Sequence, residues 1–171
     1  MLVPAFRRAA GVSPRLRGRY AAAVQLREIM TPGVVTAGLD ADVLAVAQLM
    51  RDHHVGSVVI CDADGGPAAM ITDRDLTLRV LADERPGAEW ARDHASRPLV
   101  TGEPEMALEE AAALMVQHRI RRLPIVEGDR LVGIVTLDDI AVRTGNLEVA
   151  QRMTAEVIEG ALPGFFFHER G

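Results

Sequence analysis

Two short stretches of the sequence place a threonine three residues before an aspartate, each after an apolar run. They are ITDRD, with Thr72 and Asp75, and VTLDD, with Thr136 and Asp139. Each apolar run predicts a strand that ends at the threonine, with a helix beginning directly after it. A short carboxylate at that junction can accept two hydroxyl groups, and free amides at a helix start can bind a phosphate or a sugar oxygen. The chemistry that these residues could perform is therefore the binding of a polar ligand.

A purely structural interpretation of the same residues is a capping box. The threonine hydroxyl accepts a hydrogen bond from the amide of the aspartate, and the aspartate carboxylate accepts one from the amide of the threonine. The carboxylate also complements the helix dipole. From the residues alone, both interpretations stay open.

Other reactive residue types form no recognisable constellation. His53 and His118, with His54 beside the first, fall at predicted helix ends, where they complement the helix dipole. The DADGG segment at 62–66 begins like a calcium loop but lacks its later ligands, which predicts a turn. Cys61 lies in an apolar strand and is predicted to be inert core. No motif of a nucleophile, P-loop or zinc protease occurs, so we expect no enzyme activity, no metal and no required cofactor.

Composition limits the class of protein. The chain has 171 residues, of which 49% are hydrophobic and 25% charged, and its formal net charge is −5. This balance is typical of a compact soluble protein and argues against a general nucleic-acid binder. A single cysteine excludes an internal disulfide, and no apolar run approaches the ~20 residues of a membrane span. We expect a cytoplasmic, bacterial protein without a membrane span.

The first residues differ in charge from the rest. Six arginines and no acid precede Glu28. We interpret residues 1–24 as a basic, flexible arm. A mitochondrial transit peptide, and hence the mitochondrial matrix, is the less favoured alternative. Contact with nucleic acid through the arm is a further alternative, against which the net acidity counts.

The remainder is an internal repeat. A shift of 65 positions lays residues 33–61 over 98–126, and a shift of 64 continues the match beyond the DADGG loop. Each half reads as strand, helix, strand, strand, helix. The predicted fold class is α+β, with two pseudo-twofold units packed through their sheets and one extra C-terminal helix. The predicted segments are the arm at 1–24, a first motif at 25–83, a linker at 84–95, a second motif at 96–145 and a C-terminal helix with an aromatic tail at 146–171.

Two aromatic features are expected to pack. Trp90, in the linker, is predicted to lie in the seam between the halves. The FFF segment at 165–167 is predicted to pack on its own module or on a partner subunit, because three adjacent rings are unfavourable in water.

The strings MTPGVVTAGLDADVLAVAQLM, HRIRRLPIV and LVGIVTLDDI, placed on this duplicated plan, resemble a tandem pair of CBS domains, the Bateman module. The resemblance covers about residues 25 to 145. It implies a stand-alone regulatory module in which each Thr-x-x-Asp element binds the ribose of an adenine nucleotide. It also implies association into a homodimer through helices.

The resemblance implies a first site that draws on both motifs. Its residues would be Met70, Ile71, Thr72, Asp75, Val100, Arg121 and Arg122. Val100 would pack against the adenine, and Arg121 and Arg122 would reach across to the phosphates. Since guanidinium groups suit phosphate oxygens, we expect this site to prefer AMP, ADP or ATP. Ala69, which replaces the glycine found at Gly133 in the second copy, is expected to crowd the approach to this site.

The second site would be the counterpart of the first. Its residues would be Val35, Gly56, Ser57, Arg74, Ile134, Val135, Thr136 and Asp139. With one arginine instead of two, it is expected to take a less charged adenosyl ligand such as S-adenosylmethionine, or to stay empty.

The predicted function is that of a non-catalytic adenine-nucleotide sensor. Ligand binding would stabilise one setting of the two motifs or of the dimer, and a target protein of unknown identity would respond to that setting. The alternative is a structural or protein-interaction module with vestigial clefts.

Overall fold

The chain folds into two copies of the unit that the repeat predicts. The computed structural model describes residues 7–8, 24–143, 151 and 154–156. Its strands are β1 (Arg7–Arg8), β2 (Thr36–Gly38), β3 (Ser57–Cys61), β4 (Pro67–Thr72), β5 (Val100–Thr101), β6 (Arg122–Glu127) and β7 (Arg130–Thr136). Its helices are α1 (Leu26–Ile29), α2 (Val43–His53), α3 (Asp73–Asp75), α4 (Ala91–His94), α5 (Leu108–His118) and α6 (Leu137–Arg143), and α3 continues as a π-helix over Leu76–Leu81. The predicted α+β class is confirmed.

The two halves have the same sheet topology. In the first, β2 pairs in parallel with β3, and β3 pairs antiparallel with β4. In the second, β6 and β7 are antiparallel, and a parallel bridge from Gly102 to Ile125 sets the end of β5 beside β6. Both central registers place the first residue of the middle strand opposite the threonine that ends the last strand, as with Arg122 and Thr136. The helix after each threonine therefore begins beside the entrance of the middle strand.

The two long helices form where apolar residues recur at helical spacing. α2 begins after Asp42, whose carboxylate accepts a hydrogen bond from the Ala45 amide at 2.7 Å. Both helices end at a residue with left-handed backbone, His54 at φ 52° and Arg119 at φ 55°. Their buried residues include Val43, Val46 and Met50 in α2, and Leu108, Ala111, Ala112 and Met115 in α5.

Each half completes its core with a short helix that precedes the other half in the sequence. α1 precedes the first half, yet Leu26 and Ile29 lie in the core of the second. α4 precedes the second half, yet Ala91, and Ala95 just after the helix, lie in the core of the first. A half that lost its borrowed helix would expose the apolar surface that this helix covers.

The segments after these helices cross to the opposite half as well. Thr31 exchanges two main-chain hydrogen bonds with Ile134, at 2.9 and 3.0 Å, and Ser96 donates one to Met70 at 3.0 Å. Thr31 and Ser96 are repeat equivalents, 65 residues apart. The halves are therefore joined by chain exchange as well as by the contact of their sheets.

Two neighbouring positions hold side chains of different size in the two halves, which explains a departure from the repeat. A side-chain carbon on Gly133 would lie 2.8 Å from Met30 Sδ, so Gly133 makes room for Met30. In the first half the equivalent residues are Ala69 and Ala95, and both are buried in its core. The expectation that Ala69 crowds a ligand is therefore wrong, because its methyl group fills core volume.

Part of the N-terminal arm is ordered. Arg7–Arg8 form β1, which runs parallel to β5, with Arg7 opposite Val100. The rest of the arm, 1–6 and 9–23, lies outside the described residues.

The linker and the tail also differ in part from expectation. Trp90 does not lie in the seam, since it is 44% exposed, and the Arg92 guanidinium carbon sits 5.3 Å from its ring centroid. The linker at 84–95 contains α4, which the sequence did not predict. Within the predicted C-terminal helix, Gln151 and Thr154–Glu156 are described and are helical, while the FFF segment lies outside the described residues.

Candidate functional site

Each threonine–aspartate pair forms a capping box. Thr72 Oγ1 accepts a hydrogen bond from the Asp75 amide at 3.2 Å, and Asp75 Oδ2 accepts one from the Thr72 amide at 2.9 Å. The corresponding distances for Thr136 and Asp139 are 3.1 and 2.9 Å. Each threonine hydroxyl also lies 2.7 Å from Oδ2 of its aspartate. The structural interpretation of these residues is confirmed in both halves.

The capping box uses Oδ2 of each carboxylate and leaves Oδ1 to other partners. Asp139 Oδ1 accepts a hydrogen bond from Thr31 Oγ1 at 3.0 Å and lies 3.4 Å from Arg143 Nε. Asp75 Oδ1 lies 3.5 Å from Nη2 of Arg79, the repeat equivalent of Arg143. Because an ionised carboxylate offers about four acceptor directions, Asp139 can cap its helix and still accept a ligand hydroxyl. The cap holds the carboxylate in place for that role.

A cleft of about 500 Å³, which we call the central cleft, opens beside Asp139 and is lined by residues of both halves. Its lining residues are Thr31, Gly33, Val34, Val35, Val55, Gly56, Ser57, Arg121, Arg122, Ile134, Thr136, Leu137, Asp138, Asp139 and Thr154. The volume falls within the range of roughly 300 to 1,000 Å³ that is typical of small-molecule sites. Its lining combines aliphatic walls, a carboxylate at a helix start and two guanidinium groups.

Six residues of the predicted second site line the central cleft: Val35, Gly56, Ser57, Ile134, Thr136 and Asp139. Val135 does not, because side chains alternate along β7 and Val135 is fully buried in the second-half core. Arg74 does not either. It lies in a separate, open depression of about 290 Å³ with Asp73, Thr77 and Leu78.

Arg121 and Arg122 also line the central cleft, which differs from their assignment to the site of Asp75. The antiparallel ladder explains this position, since Arg122 begins β6 directly opposite Thr136 at the end of β7. In the described parts of the chain, neither guanidinium makes a hydrogen bond or an ion pair. Both therefore keep their donors available to an anion in the cleft.

The remaining residues of the predicted first site, Met70, Ile71, Thr72, Asp75 and Val100, are not among those that line the central cleft. Met70 and Ile71 are buried, at 9% and 0% exposure. Asp75 is buried as well, with its carboxylate between the capping box and Arg79. Ligand binding at Asp75 stays a prediction.

Thr31 is a lining residue that the sequence analysis missed. Its hydroxyl donates to Asp139, and its main chain pairs with Ile134 across 103 positions of sequence. A contact at that separation leaves no periodic signal in either segment. The one available sign was its place directly before Pro32 and Gly33, where a chain turns.

The weaker candidates behave as structural features. Asp62 Oδ1 accepts hydrogen bonds from the amides of Asp64 and Gly66, at 3.0 and 2.7 Å, so DADGG is the predicted turn. Within the residues that the structure describes, no three His, Cys, Asp or Glu side chains are grouped closely enough to hold a metal ion. No described helix has the length and apolar character needed to cross a membrane.

Comparisons with known proteins agree with the geometry. The family model described as CBS domain matches residues 26–82 and 91–143. The CBS domain-containing protein YhcV of Bacillus subtilis (strain 168) is 42% identical over 125 residues, which cover 73% of this chain and 89% of YhcV.

Solved structures share the fold. The crystal structure of Hypoxic Response Protein I with two coordinated zinc ions has a TM-score of 0.64 at 34% identity, covering 69% of this chain and 97% of that one. The CBS domain protein PAE2072 from Pyrobaculum aerophilum, complexed with AMP, has a TM-score of 0.66 at 24% identity, covering 75% and 99%. At that identity the second likeness shows the fold alone.

Proposed function

Because this chain belongs to the CBS domain family and carries two CBS domains in tandem, we propose that it is a non-catalytic regulatory module that binds an adenine nucleotide in the central cleft. One observation carries the proposal. The cleft combines a preorganised carboxylate, Asp139, with two guanidinium groups, Arg121 and Arg122, that no described residue pairs. A nucleotide has the matching groups: a ribose diol and a phosphate.

The cleft lining supports one orientation of the ligand. One ribose hydroxyl donates to Asp139 Oδ1, and the phosphate accepts hydrogen bonds from Arg121 and Arg122. The adenine packs between the aliphatic side chains of Val35 and Ile134. A reversed ligand would place its phosphate against the Asp139 carboxylate, which electrostatic repulsion disfavours.

The two arginines decide the expected ligand class. The sequence alone predicts phosphorylated ligands at the site of Asp75 and a less charged ligand beside Asp139. Since Arg121 and Arg122 line the cleft beside Asp139, we propose that AMP, ADP or ATP binds there in preference to S-adenosylmethionine. The AMP complex of PAE2072 supports an adenine nucleotide as ligand in this fold.

Regulation follows from the position of the cleft between the halves. A ligand that contacts Val35 and Ser57 of the first half and Asp139 of the second stabilises one relative setting of the two. A target protein that prefers this setting then binds more tightly when the ligand is present. At a ligand concentration of 100 times Kd the linkage is worth ~2.7 kcal/mol.

The direct test is calorimetric titration of the full chain with AMP, ADP, ATP and S-adenosylmethionine. We expect Asp139→Asn to weaken AMP binding roughly 10- to 100-fold, because the ribose loses a charge-assisted acceptor. The asparagine side chain in this variant keeps an oxygen for the Thr136 amide, so the cap is retained. The matched control is Asp75→Asn, the same change at the repeat-equivalent cap, which should leave AMP binding in the central cleft unchanged.

Two results would contradict the proposal. Absence of any heat or melting shift with all four ligands would favour the structural-module alternative. Equal losses in Asp139→Asn and Asp75→Asn would show that the ligand depends on fold stability instead of on the central cleft.

We further propose that the chain forms a homodimer. Among the described residues, five large apolar side chains are exposed, Leu44, Leu78, Leu81, Trp90 and Val142, with Val142 at 79% and Leu81 at 72%. Four of the five, Leu44, Leu78, Leu81 and Val142, lie on described helices, and exposed apolar side chains are favourable to bury in a protein interface. Sedimentation equilibrium should give twice the 18.5 kDa chain mass, and a monomer at high concentration would refute the dimer.

A further inference from the structure

Two opposite charges from different halves converge above Gly56. A side-chain carbon on Gly56 would lie 3.0 Å from Arg122 Nη2 and 3.2 Å from Asp73 Oδ2. Both charged groups therefore reach the same point, one from the start of β6 and the other from the start of α3. Glycine leaves the space that they share.

One oxygen of the Asp73 carboxylate accepts a main-chain hydrogen bond, and the other is available to Arg122. The main-chain amide of Asp73 donates to the Gly56 carbonyl at 3.2 Å, which fixes the start of α3 beside Gly56. Asp73 Oδ1 accepts a hydrogen bond from the Arg74 amide at 2.8 Å, and its Oδ2 faces Gly56, as Arg122 Nη2 does. Asp73 itself is exposed and does not line the central cleft, whereas Arg122 does. The two charged groups form no ion pair in the described parts of the chain, so the Arg122 guanidinium lines the cleft with a carboxylate of the first half nearby.

We propose that Asp73 limits the preference of the central cleft for phosphorylated ligands, by competing with the ligand phosphate for Arg122. This inference rests on the proposed function and names a specificity-determining residue for it. Without a ligand, the negative charge of Asp73 attracts the guanidinium from the side of the first half. A phosphate has to outcompete that attraction, whereas an uncharged nucleoside does not meet it. Asp73 therefore lowers the affinity for nucleotides without lowering the affinity for adenosine.

The approach of Asp73 and Arg122 to one point has no counterpart at the equivalent positions of the repeat. The residue equivalent to Asp73 in the second half is Leu137, 64 positions later, and the residue equivalent to Arg122 is Ser57. The repeat therefore offers no second pair of charges at the corresponding place. Asp73 acts as a positioning residue through Arg122 and has no contact with the nucleotide of its own.

The test compares AMP with adenosine in the full-length chain. We expect Asp73→Asn to raise AMP affinity about two- to fivefold at about 0.1 M salt, the size of effect that an exposed charge pair supports. Adenosine affinity should stay within error, and the gain for AMP should shrink at about 0.5 M salt because the charges are screened. A structural role of Asp73 at the helix start would move both ligands together.

The matched control is Asp129→Asn, the same change of charge in the turn at the far end of the β6–β7 hairpin. The ladder runs from Arg122 opposite Thr136 to Glu127 opposite Arg130, so Asp129 lies roughly 17 Å along the strands from Arg122. That exceeds the Debye length of about 10 Å at 0.1 M salt, and Asp129→Asn should leave both affinities unchanged.

The outcomes separate the two proposals. If the wild-type chain binds AMP and Asp73→Asn leaves the ratio of AMP to adenosine affinity unchanged, the role of Asp73 is refuted and the proposed function stands. If neither chain binds AMP or adenosine, the proposed function fails and the role of Asp73 fails with it. A gain in AMP affinity of equal size in Asp129→Asn would also refute the role of Asp73, because net charge alone would explain it.

Discussion

Single residues in this protein serve two purposes at once. Asp139 caps α6 through Oδ2 and offers Oδ1 to the central cleft, so the local and the ligand-binding interpretations of one motif are compatible. Asp75 has the same cap and the same arginine one turn later, Arg79, but it does not line the central cleft. The difference between the twin aspartates therefore lies in what surrounds them.

The buried thiol of Cys61 provides a prediction at this scale. Burial raises the pKa of the Cys61 thiol to about 11 from an ordinary value of 9.0, with the neighbouring Asp62 charge adding to the shift. The thiolate fraction in the folded chain is then about 100-fold lower than in the unfolded chain at pH 8, and the thiolate is the reactive form. We expect a chromogenic disulfide reagent to modify Cys61 at least 100-fold more slowly in the native chain than in guanidinium chloride.

The same shift fixes the sign of a pH effect. Because the folded pKa lies above the unfolded one, the contribution of Cys61 to stability is complete below about pH 9 and is lost as the pH rises towards 11. Cys61→Ser should flatten the fall in melting temperature over that interval. A native reaction rate within tenfold of the denatured rate would contradict the burial of the thiol.

At the scale of elements, the two halves have the same order of strands and helices but place side chains of different size at two corresponding core positions. Gly133 in β7 admits Met30, whereas the first half has Ala69 and Ala95 at the corresponding places. The second half places all of the side-chain volume on one of the two positions, whereas the first half divides it between both. A sequence repeat can therefore conserve a packing site while changing both of its residues.

Gly133→Ala should destabilise the fold by about 1 to 3 kcal/mol, because its new methyl group would overlap Met30. Met30→Ala should also destabilise, since it leaves a gap. The double variant recreates the alanine pair of the first half. We therefore expect its loss of unfolding free energy to be about 1 kcal/mol smaller than the sum of the losses in the two single variants. Denaturant titration of the wild type, the two single variants and the double variant measures this coupling. Strict additivity of the losses would refute the idea that the two positions share one space.

At the scale of the whole molecule, each half contains a short helix from the sequence that precedes the other half. Leu26 of α1 is fully buried in the second-half core, and Ala91 of α4 in the first. Unfolding one half would strip the other of its covering helix. The two CBS domains should therefore unfold in a single cooperative transition.

The single tryptophan allows a test of this cooperativity. The main chain of Trp90 forms an antiparallel β-bridge with Asp42 of the first half, whereas the Leu26 side chain packs in the core of the second half. Leu26→Ala should destabilise the whole chain by about 2 to 5 kcal/mol and shift the midpoint reported by Trp90 fluorescence as much as that reported by far-UV circular dichroism. Separate midpoints for the two signals would show that the halves unfold independently.

The order of the elements, the twofold plan and the helix starts at Asp73 and Leu137 could be predicted from the sequence, because hydrophobic periodicity and capping chemistry are local. Six lining residues of the central cleft followed from the resemblance to CBS domains together with the match of one repeat to the other. The position of Arg121 and Arg122 did not, because it depends on the register of β6 against β7. Thr31 donates to Asp139 from a distant part of the chain, and Asp73 and Arg122 approach Gly56 from different halves. Neither arrangement leaves a periodic signal in the sequence, so only the tertiary structure decides it.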